Sequence, residues 1–337
     1  MIPRRSLAGT RGPRRTGIPY NDGPMTAPLY ATGRAKAQIP GQPVVPPIQA
    51  LPLWLRLLSR LPLGLLYGLT GLLSFTVHRV AGYRTKVVRS QIARCFPQLP
   101  RADQRRMAGD YYRNLAQLVA ELLKSATISA EELQQRVSLV NPEVLTDPLD
   151  AGQSVLVVAA HHCNWEWLLL ALSLRLRQPL TGAYKPLHDP YTERLMRNLR
   201  GRFGGNLVPA KELLTNILKD RGTRAIAMVA DQEPVTSDYK HWTTFLDSPT
   251  AFYMGPEKIA QVTRFPVVFA GMQRTARGHY EVRFELLAAA RERLAPGSVT
   301  ERYARAVEQL VRAAPANWTW SHRRWKLKPE AAGATHA

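Results

Sequence analysis

The 337-residue chain carries 46 Lys and Arg against 25 Asp and Glu, a formal charge of +21, with 45% hydrophobic residues. That length and apolar content suffice for one large or two small domains. Only two cysteines occur, Cys95 and Cys163, far apart; this excludes a disulfide framework and fits a reducing compartment. The charge calls for an anionic partner: nucleic acid, an acidic membrane surface or an acidic protein.

Residues 1–48 read as a disordered basic tail. Gly, Pro, Arg and Ala dominate, periodicity is absent, and there is no apolar stretch of the secretory kind. Arg4, Arg5, Arg11, Arg14 and Arg15 could meet anionic lipid or nucleic acid, or simply water. Residues 49–82 read as a membrane anchor or interfacial helices. Between Arg60 and Arg79 no Lys, Arg, Asp or Glu occurs. As a helix that window would be about 27 Å long, against the roughly 20 residues a bilayer crossing needs. Gly64 and Gly68 form a GxxxG that permits close helix packing. Both flanks are basic, so the positive-inside rule selects no side. Leu51–Leu58, with Trp54 and Arg56, is itself amphipathic. A single short crossing and a helix or hairpin held in one leaflet both fit, as does a buried soluble helix.

An α/β domain is expected over 83–330, followed by a flexible tail at 331–337. Helices fill 83–140, broken at Pro97–Pro100, with a core stripe of Met107, Tyr111, Leu115, Leu118, Val119 and Leu122. Glu121 near the end of that stripe is a candidate to support a site from behind.

The centre of the chain is Ser154–Leu169, SVLVVAAHHCNWEWLL. Val155–Ala160 is an unbroken apolar run, the pattern of a strand buried on both faces. Polar chemistry follows at once in His161, His162, Cys163, Asn164 and Glu166, and helical apolar spacing resumes with Trp165, Leu168, Leu169 and Leu172. Asn164 is a good N-cap. Open α/β sheets place their sites at such strand-to-helix turns. His161 and Glu166, five apart across the turn, could meet; a carboxylate there would fix the imidazole's tautomer and make it a general base. A capping box with an incidental histidine explains the same residues.

Further along, strands are expected at 180–184, 207–209, 225–230 and 266–272, alternating with helices at 191–203, 211–221 and 255–263. Residues 280–286 alternate as an antiparallel strand, and 299–311 form a helix. Lys185 follows one strand, and Arg194, Arg197, Arg200 and Arg202 crowd the next helix, where they could hold phosphate or an oxyanion. Asp231 directly follows a buried strand, which suggests the sheet rim that carries His161. The closing Asn317–Lys326 mixes Trp with cations. That suits nucleic acid or stacking around a phospholipid or phosphorylated glycolipid headgroup. Other readings stay open: a Cys163 nucleophile served by His162, a metal held by His161, His162 and Glu166, or a non-enzymatic binding protein. The metal reading lacks a further ligand cluster and matches no standard zinc spacing.

Several blocks together resemble the lipid A biosynthesis acyltransferases of the lauroyl/myristoyl type. They are AHHCNWE (160–166), LSRLPLGLLYGLTGLL (58–73), YRTKVVRSQIARCFPQL (83–99), YYRNLAQLVAELLK (111–124), AYKPLHDPYTERLMRNLRGRFGG (183–205), ADQEP (230–234) and WTWSHRRWK (318–326). The resemblance covers roughly 54–328. It implies a mixed, mostly parallel sheet flanked by helices, like the glycerolipid acyltransferases, with an N-terminal helical membrane-associated segment. It also implies transfer of a fatty acyl chain from acyl carrier protein to a hydroxyl of a phosphorylated lipid A precursor. The reaction would run at the cytoplasmic face of the inner membrane, among its lipids, with no cofactor beyond the acyl-carrier donor, no metal and no nucleic acid. Carried over by motif, His161 is the base and Glu166 its partner. Arg200 binds phosphate or the oxyanion, Asp231 lies near the acceptor, and Asn164 and Lys185 join them as substrate contacts. His162 stands where Phe is usual, Cys163 where Gly is, Lys185 where Arg is common and Gln91 where Asn is. These departures bear on acceptor and chain length.

Overall fold

A computed structural model describes residues 51–79 and 82–329. The expected basic tail at 1–48 and the flexible tail at 331–337 lie outside the described residues. Helices α1 (Leu53–Ser59), α2 (Leu63–Arg79), α3 (Thr85–Cys95), α4 (Arg101–Lys124) and α5 (Ala130–Arg136) come first. Strand β1 (Val137–Leu139) and helix α6 (Glu143–Asp150) lead into the alternating core. The core runs β2 (Val155–Ala159), α7 (Trp165–Arg175), β3 (Leu180–Tyr184), α8 (Pro190–Arg200), β4 (Asn206–Pro209), α9 (Leu213–Lys219) and β5 (Ala225–Val229). A hairpin of β6 (Lys240–Phe245) and β7 (Ser248–Tyr253) precedes α10 (Gly255–Thr263), β8 (Val267–Ala276), β9 (His279–Ala288) and α11 (Ser298–Ala313).

The large sheet has seven strands in the order β1-β9-β8-β2-β5-β3-β4. Pairing is parallel throughout except between β8 and β9. The expected mixed, mostly parallel sheet between helices is what the chain builds. Strand β2 lies inside the sheet with every residue buried. Its alternation feeds two cores, as a pleated strand must. Val155, Val157 and Ala159 pack with α7 residues such as Trp167 and Leu168. Leu156, Val158 and Ala160 pack on the other face with Tyr303, Val307 and Val311 of α11.

Reading in strands leaves 236–254 unassigned, and the β6–β7 hairpin there is a real addition. Its turn residues Leu246 and Asp247 both have positive φ, 48° and 58°. Such two-residue turns are normally announced by Asn-Gly or Asp-Gly. Here Leu246 takes the strained conformation because its side chain is fully buried in the core.

Helix α4 begins after Pro100, as the proline break requires. Helix α2 packs along it, and the two are joined by Tyr67 Oη donating to Glu121 at 2.9 Å and Ser74 Oγ donating to the Tyr112 carbonyl at 3.2 Å. Among the described residues no single helix is long and apolar enough to cross a membrane; α1 and α2 form a pair bent by 115°.

Candidate active site

Two neighbouring parallel strands set the geometry. In the β2–β5 ladder, Ala159 lies opposite Val229. Continuing the same register by two residues sets His161 opposite Asp231, across the roughly 4.8 Å that separates adjacent strands. The side chains close that gap. His161 Nδ1 is 2.6 Å from Asp231 Oδ1, and the His161 backbone N–H donates to both Asp231 oxygens at 3.1 Å. Trp318 Nε1–H donates to Oδ2 at 2.7 Å.

Asp231 is 1% exposed. Burial pushes its carboxyl up, but the imidazole's charge and the hydrogen bonds from His161 and Trp318 outweigh it, and the pKa settles at about 2. An ionised carboxylate only accepts hydrogen bonds, so Nδ1 of a neutral His161 carries the proton and Nε2 keeps its lone pair. That is the state of a general base.

The expected partner of His161 was Glu166, and the structure corrects this. Both Glu166 oxygens are taken by Arg200, whose Nε and Nη2 donate at 2.8 and 2.6 Å. The reason is the direction of the first turn of α7, which aims Glu166 at α8 instead of back along the strand. The paired fork of Arg200 with a carboxylate is the geometry guanidinium favours. Asp231, expected as an acceptor contact at the same rim, does lie at that rim, but its oxygens face His161 and Trp318.

Asn164 is also corrected. Its Oδ1 accepts from the Trp167 N–H at 2.9 Å and its Nδ2 donates to Glu121 Oε2 at 2.7 Å, with the side chain fully buried. It caps α7 and has no face left for substrate. Glu121, from α4, collects Tyr67, Tyr280 and Asn164 as donors, so three separate segments meet on one buried carboxylate.

Cys163 adopts a left-handed conformation, φ 54°, where a glycine would be unstrained. It is buried, and burial pushes its thiol up to about 12. A thiol so protonated is no nucleophile. His162 is buried as well, its ring nitrogens 3.1 and 3.0 Å from the Met272 and Ala314 carbonyl oxygens. His162 Nδ1 also lies 3.3 Å from Cys163 Sγ, but burial keeps the thiol protonated and disfavours a charged His162, so the two are not set up as nucleophile and base.

Two contributors reach the site from far along the chain. Tyr303 Oη donates to the Ala159 carbonyl at 2.7 Å and accepts from the Ala230 N–H at 3.2 Å. It thereby ties the ends of β2 and β5 that carry His161 and Asp231. The Thr319 N–H and Oγ1–H both donate to the His161 carbonyl, at 3.1 and 2.9 Å, and the Cys163 N–H donates to the Asn317 carbonyl at 3.0 Å. The Asn317–Thr319 segment therefore clamps the turn.

Beside the imidazole opens a cavity of about 590 Å³, within the range of small-molecule sites. His161, Trp165, Glu166, Lys185 and Arg200 line its polar part, and Val157, Leu168, Leu169, Leu172 and Leu207 its apolar part. Gly182 makes room in it. A Cβ there would lie 3.2 Å from both Leu169 Cδ1 and Leu207 Cδ2.

Across residues 50–327 the sequence matches the model of the bacterial lipid A biosynthesis acyltransferases. The chain belongs to that family. It is also similar to the lipid A biosynthesis lauroyltransferase of Escherichia coli (strain K12), 22% identical over 282 residues, covering 82% of this chain and 90% of the relative. In this acyltransferase the terminal aromatic and basic block is architectural, which corrects its reading as a headgroup or nucleic-acid contact. Trp318 and Trp320 are buried, and the Arg324 guanidinium is buried over Phe252, donating to the Ala251 carbonyl at 2.7 Å. Gln91 holds this block by donating to the carbonyls of Trp320 and His322 and accepting from the Arg324 N–H at 2.7 Å. Lys185 and Arg200 remain on the cavity wall.

Proposed function

We propose that His161, oriented by Asp231, is the general base that moves a fatty acyl chain from acyl carrier protein to a hydroxyl of a phosphorylated lipid A precursor. The observation that carries this reading is the His161–Asp231 pair at the polar end of a cavity with an apolar interior. Nε2 takes the proton of the acceptor hydroxyl as its oxygen attacks the thioester carbonyl carbon. The carbonyl becomes a tetrahedral oxyanion. Arg200, held in place by Glu166, and the backbone N–H groups that open α7 are the donors suited to it. The C–S bond then breaks, the ester remains on the acceptor, and the imidazolium returns its proton to the departing thiolate of the carrier arm.

The apolar wall formed by Leu168, Leu169, Leu172 and Leu207 suits the acyl chain, with Gly182 leaving it width. Lys185 at the rim suits an acceptor phosphate. The net charge of +21 suits both an acidic carrier and a phosphorylated lipid. Exposed Leu53, Trp54, Leu57, Leu65, Leu69, Leu72 and Leu73 suit contact with the inner membrane, the α/β domain lying on its cytoplasmic side.

The test is direct. Purified protein is incubated with acyl-carrier thioesters and lipid A precursors, and product masses are read. Wild type yields acceptor plus one acyl group. His161→Ala yields none while its circular-dichroism spectrum keeps the folded shape, its melt falling only as far as Asp231's loss of the imidazole donor requires. Full transfer by that variant overturns the assignment.

A further inference from the structure

We infer that Glu121 is a positioning residue for acyl transfer: through Asn164 it sets the first turn of α7, and with it the donors that meet the oxyanion. This rests on the reaction proposed above and adds a residue that lies outside the cavity wall.

Glu121 is fully buried in the last turn of α4. A buried carboxylate is a poor stabiliser; an apolar side chain of similar volume commonly serves a fold as well or better. What the carboxylate adds is direction. Its Oε2 accepts from Asn164 Nδ2 at 2.7 Å and from Tyr280 Oη at 2.6 Å, and its Oε1 accepts from Tyr67 Oη at 2.9 Å. Burial and the Glu121 charge push the Tyr280 phenol well up, so its proton stays in place to be donated. Both oxygens are engaged as acceptors.

That fixes the carboxamide of Asn164, which has an oxygen at one end and NH2 at the other. Facing an acceptor, it turns its NH2 to Glu121, which leaves Oδ1 aimed at the Trp167 N–H, 2.9 Å away. Turned over, it would set its oxygen against the carboxylate and its NH2 against an N–H, and the cap would be lost. The same turn of α4 grips α7 again: Trp167 Nε1 donates to the Glu121 carbonyl at 3.2 Å and to Ser125 Oγ at 2.9 Å.

Between the two grips lie Trp165 and Glu166. Their N–H groups are among those that a helix start leaves without an intrahelical acceptor, and both residues line the cavity. Glu166 in turn holds Arg200. Both kinds of oxyanion donor therefore take their place from the segment that Asn164 and Trp167 pin to α4. Tyr67 and Tyr280 reach the same carboxylate from α2 and β9 but lie outside the cavity wall, so they serve as an internal control.

The test compares steady-state transfer, from acyl-carrier thioester to lipid A precursor, with thermal melts of the same full-length variants. Glu121→Met should lower kcat about a hundredfold while both KM values stay within about threefold. Adding Tyr67→Phe and Tyr280→Phe removes the stranded hydroxyls and should restore most of the melting temperature, with kcat still low. Arg274 keeps Gln117 and an aromatic ring as partners throughout. The two Tyr→Phe changes alone should hold kcat within about twofold of wild type, since neither touches Asn164. Glu121→Gln should recover most of kcat, because its amide oxygen can serve Asn164 and Tyr280 while Tyr67 Oη accepts from its NH2. Asn164→Ser keeps a capping oxygen but gives up the link to Glu121, and should reproduce the Glu121→Met loss. If kcat returns together with the melt in the triple variant, or if the tyrosine pair alone loses as much kcat as Glu121→Met, the role is structural and the inference is overturned. Should Glu121→Met fail to fold, wild-type kcat in Asn164→Ser overturns it instead. No transfer by wild type overturns the proposed reaction itself, a result distinct from the others.

Discussion

Replacing Asp231 by Asn separates the two acids that could serve His161. Three N–H donors converge on the Asp231 carboxylate: the His161 backbone, His161 Nδ1 and Trp318 Nε1. A carboxamide offers one oxygen and turns an NH2 toward one of those donors. Either Trp318 loses its acceptor or the imidazole shifts its proton to Nε2 and points a donor at the acceptor hydroxyl. The wrong tautomer costs a histidine base about 10³–10⁴ in rate, or about 4–5.5 kcal/mol of transition-state stabilisation. The strained donors cost about 1–3 kcal/mol of stability. Initial rates at saturating donor and acceptor, with product masses and a thermal melt, measure both. Sign and pH window follow from the depressed carboxyl. Its stabilisation is complete above the ordinary carboxylate value of about 4 and is lost as pH falls toward its folded value of about 2. The melting gap between wild type and Asp231→Asn should close over that window. If Asp231→Asn keeps more than a tenth of the wild-type rate while Glu166→Gln falls a thousandfold, the dyad is His161–Glu166 and the reasoning fails.

Glu166→Gln should instead loosen Arg200, lowering stability by about 1–3 kcal/mol and lowering kcat more than it raises KM, as expected for a donor that acts on the oxyanion; steady-state kinetics against both substrates decide. Tyr303→Phe removes the bridge between the β2 and β5 ends and should lower stability by about 1–2 kcal/mol, read as a drop of a few degrees in Tm, with a severalfold loss of kcat. Cys163→Ala should transfer at the wild-type rate, and wild type should resist iodoacetamide at pH 8, because the buried thiol titrates at about 12. Gly182→Val should narrow the cavity between Leu169 and Leu207 and shift donor preference toward shorter acyl chains, seen as lighter products from a mixed thioester pool.

The elements that define the rim were legible in the chain because their signals are local. An unbroken, β-branched-rich run from Val155 to Ala160 carries the pattern of an interior strand, and Asn164 announces the helix it caps. Asp231 after the β5 run was legible as a rim residue for the same reason. The identity of the His161 partner was not, because it depends on strand order. Strand β5 inserts between β2 and β3, and nothing within either strand encodes which neighbour it will choose. Glu166 was attractive through closeness in sequence, but the direction of α7's first turn gives it to Arg200. Tyr303 and Trp318 act over separations of 144 and 87 residues, beyond the reach of any periodicity. The Trp-rich terminal block misled through composition: aromatics beside arginines look ligand-facing until a core is found to enclose them.

The clamp of Asn317, Trp318 and Thr319 on the His161 turn has a consequence for biosynthesis. Every strand of the sheet is translated before these residues leave the ribosome, yet the catalytic turn lacks its carbonyl and carboxylate partners until they arrive. A chain that stops short of Asn317 would therefore keep every strand of the sheet and still lack the donors to the His161 carbonyl and to Asp231.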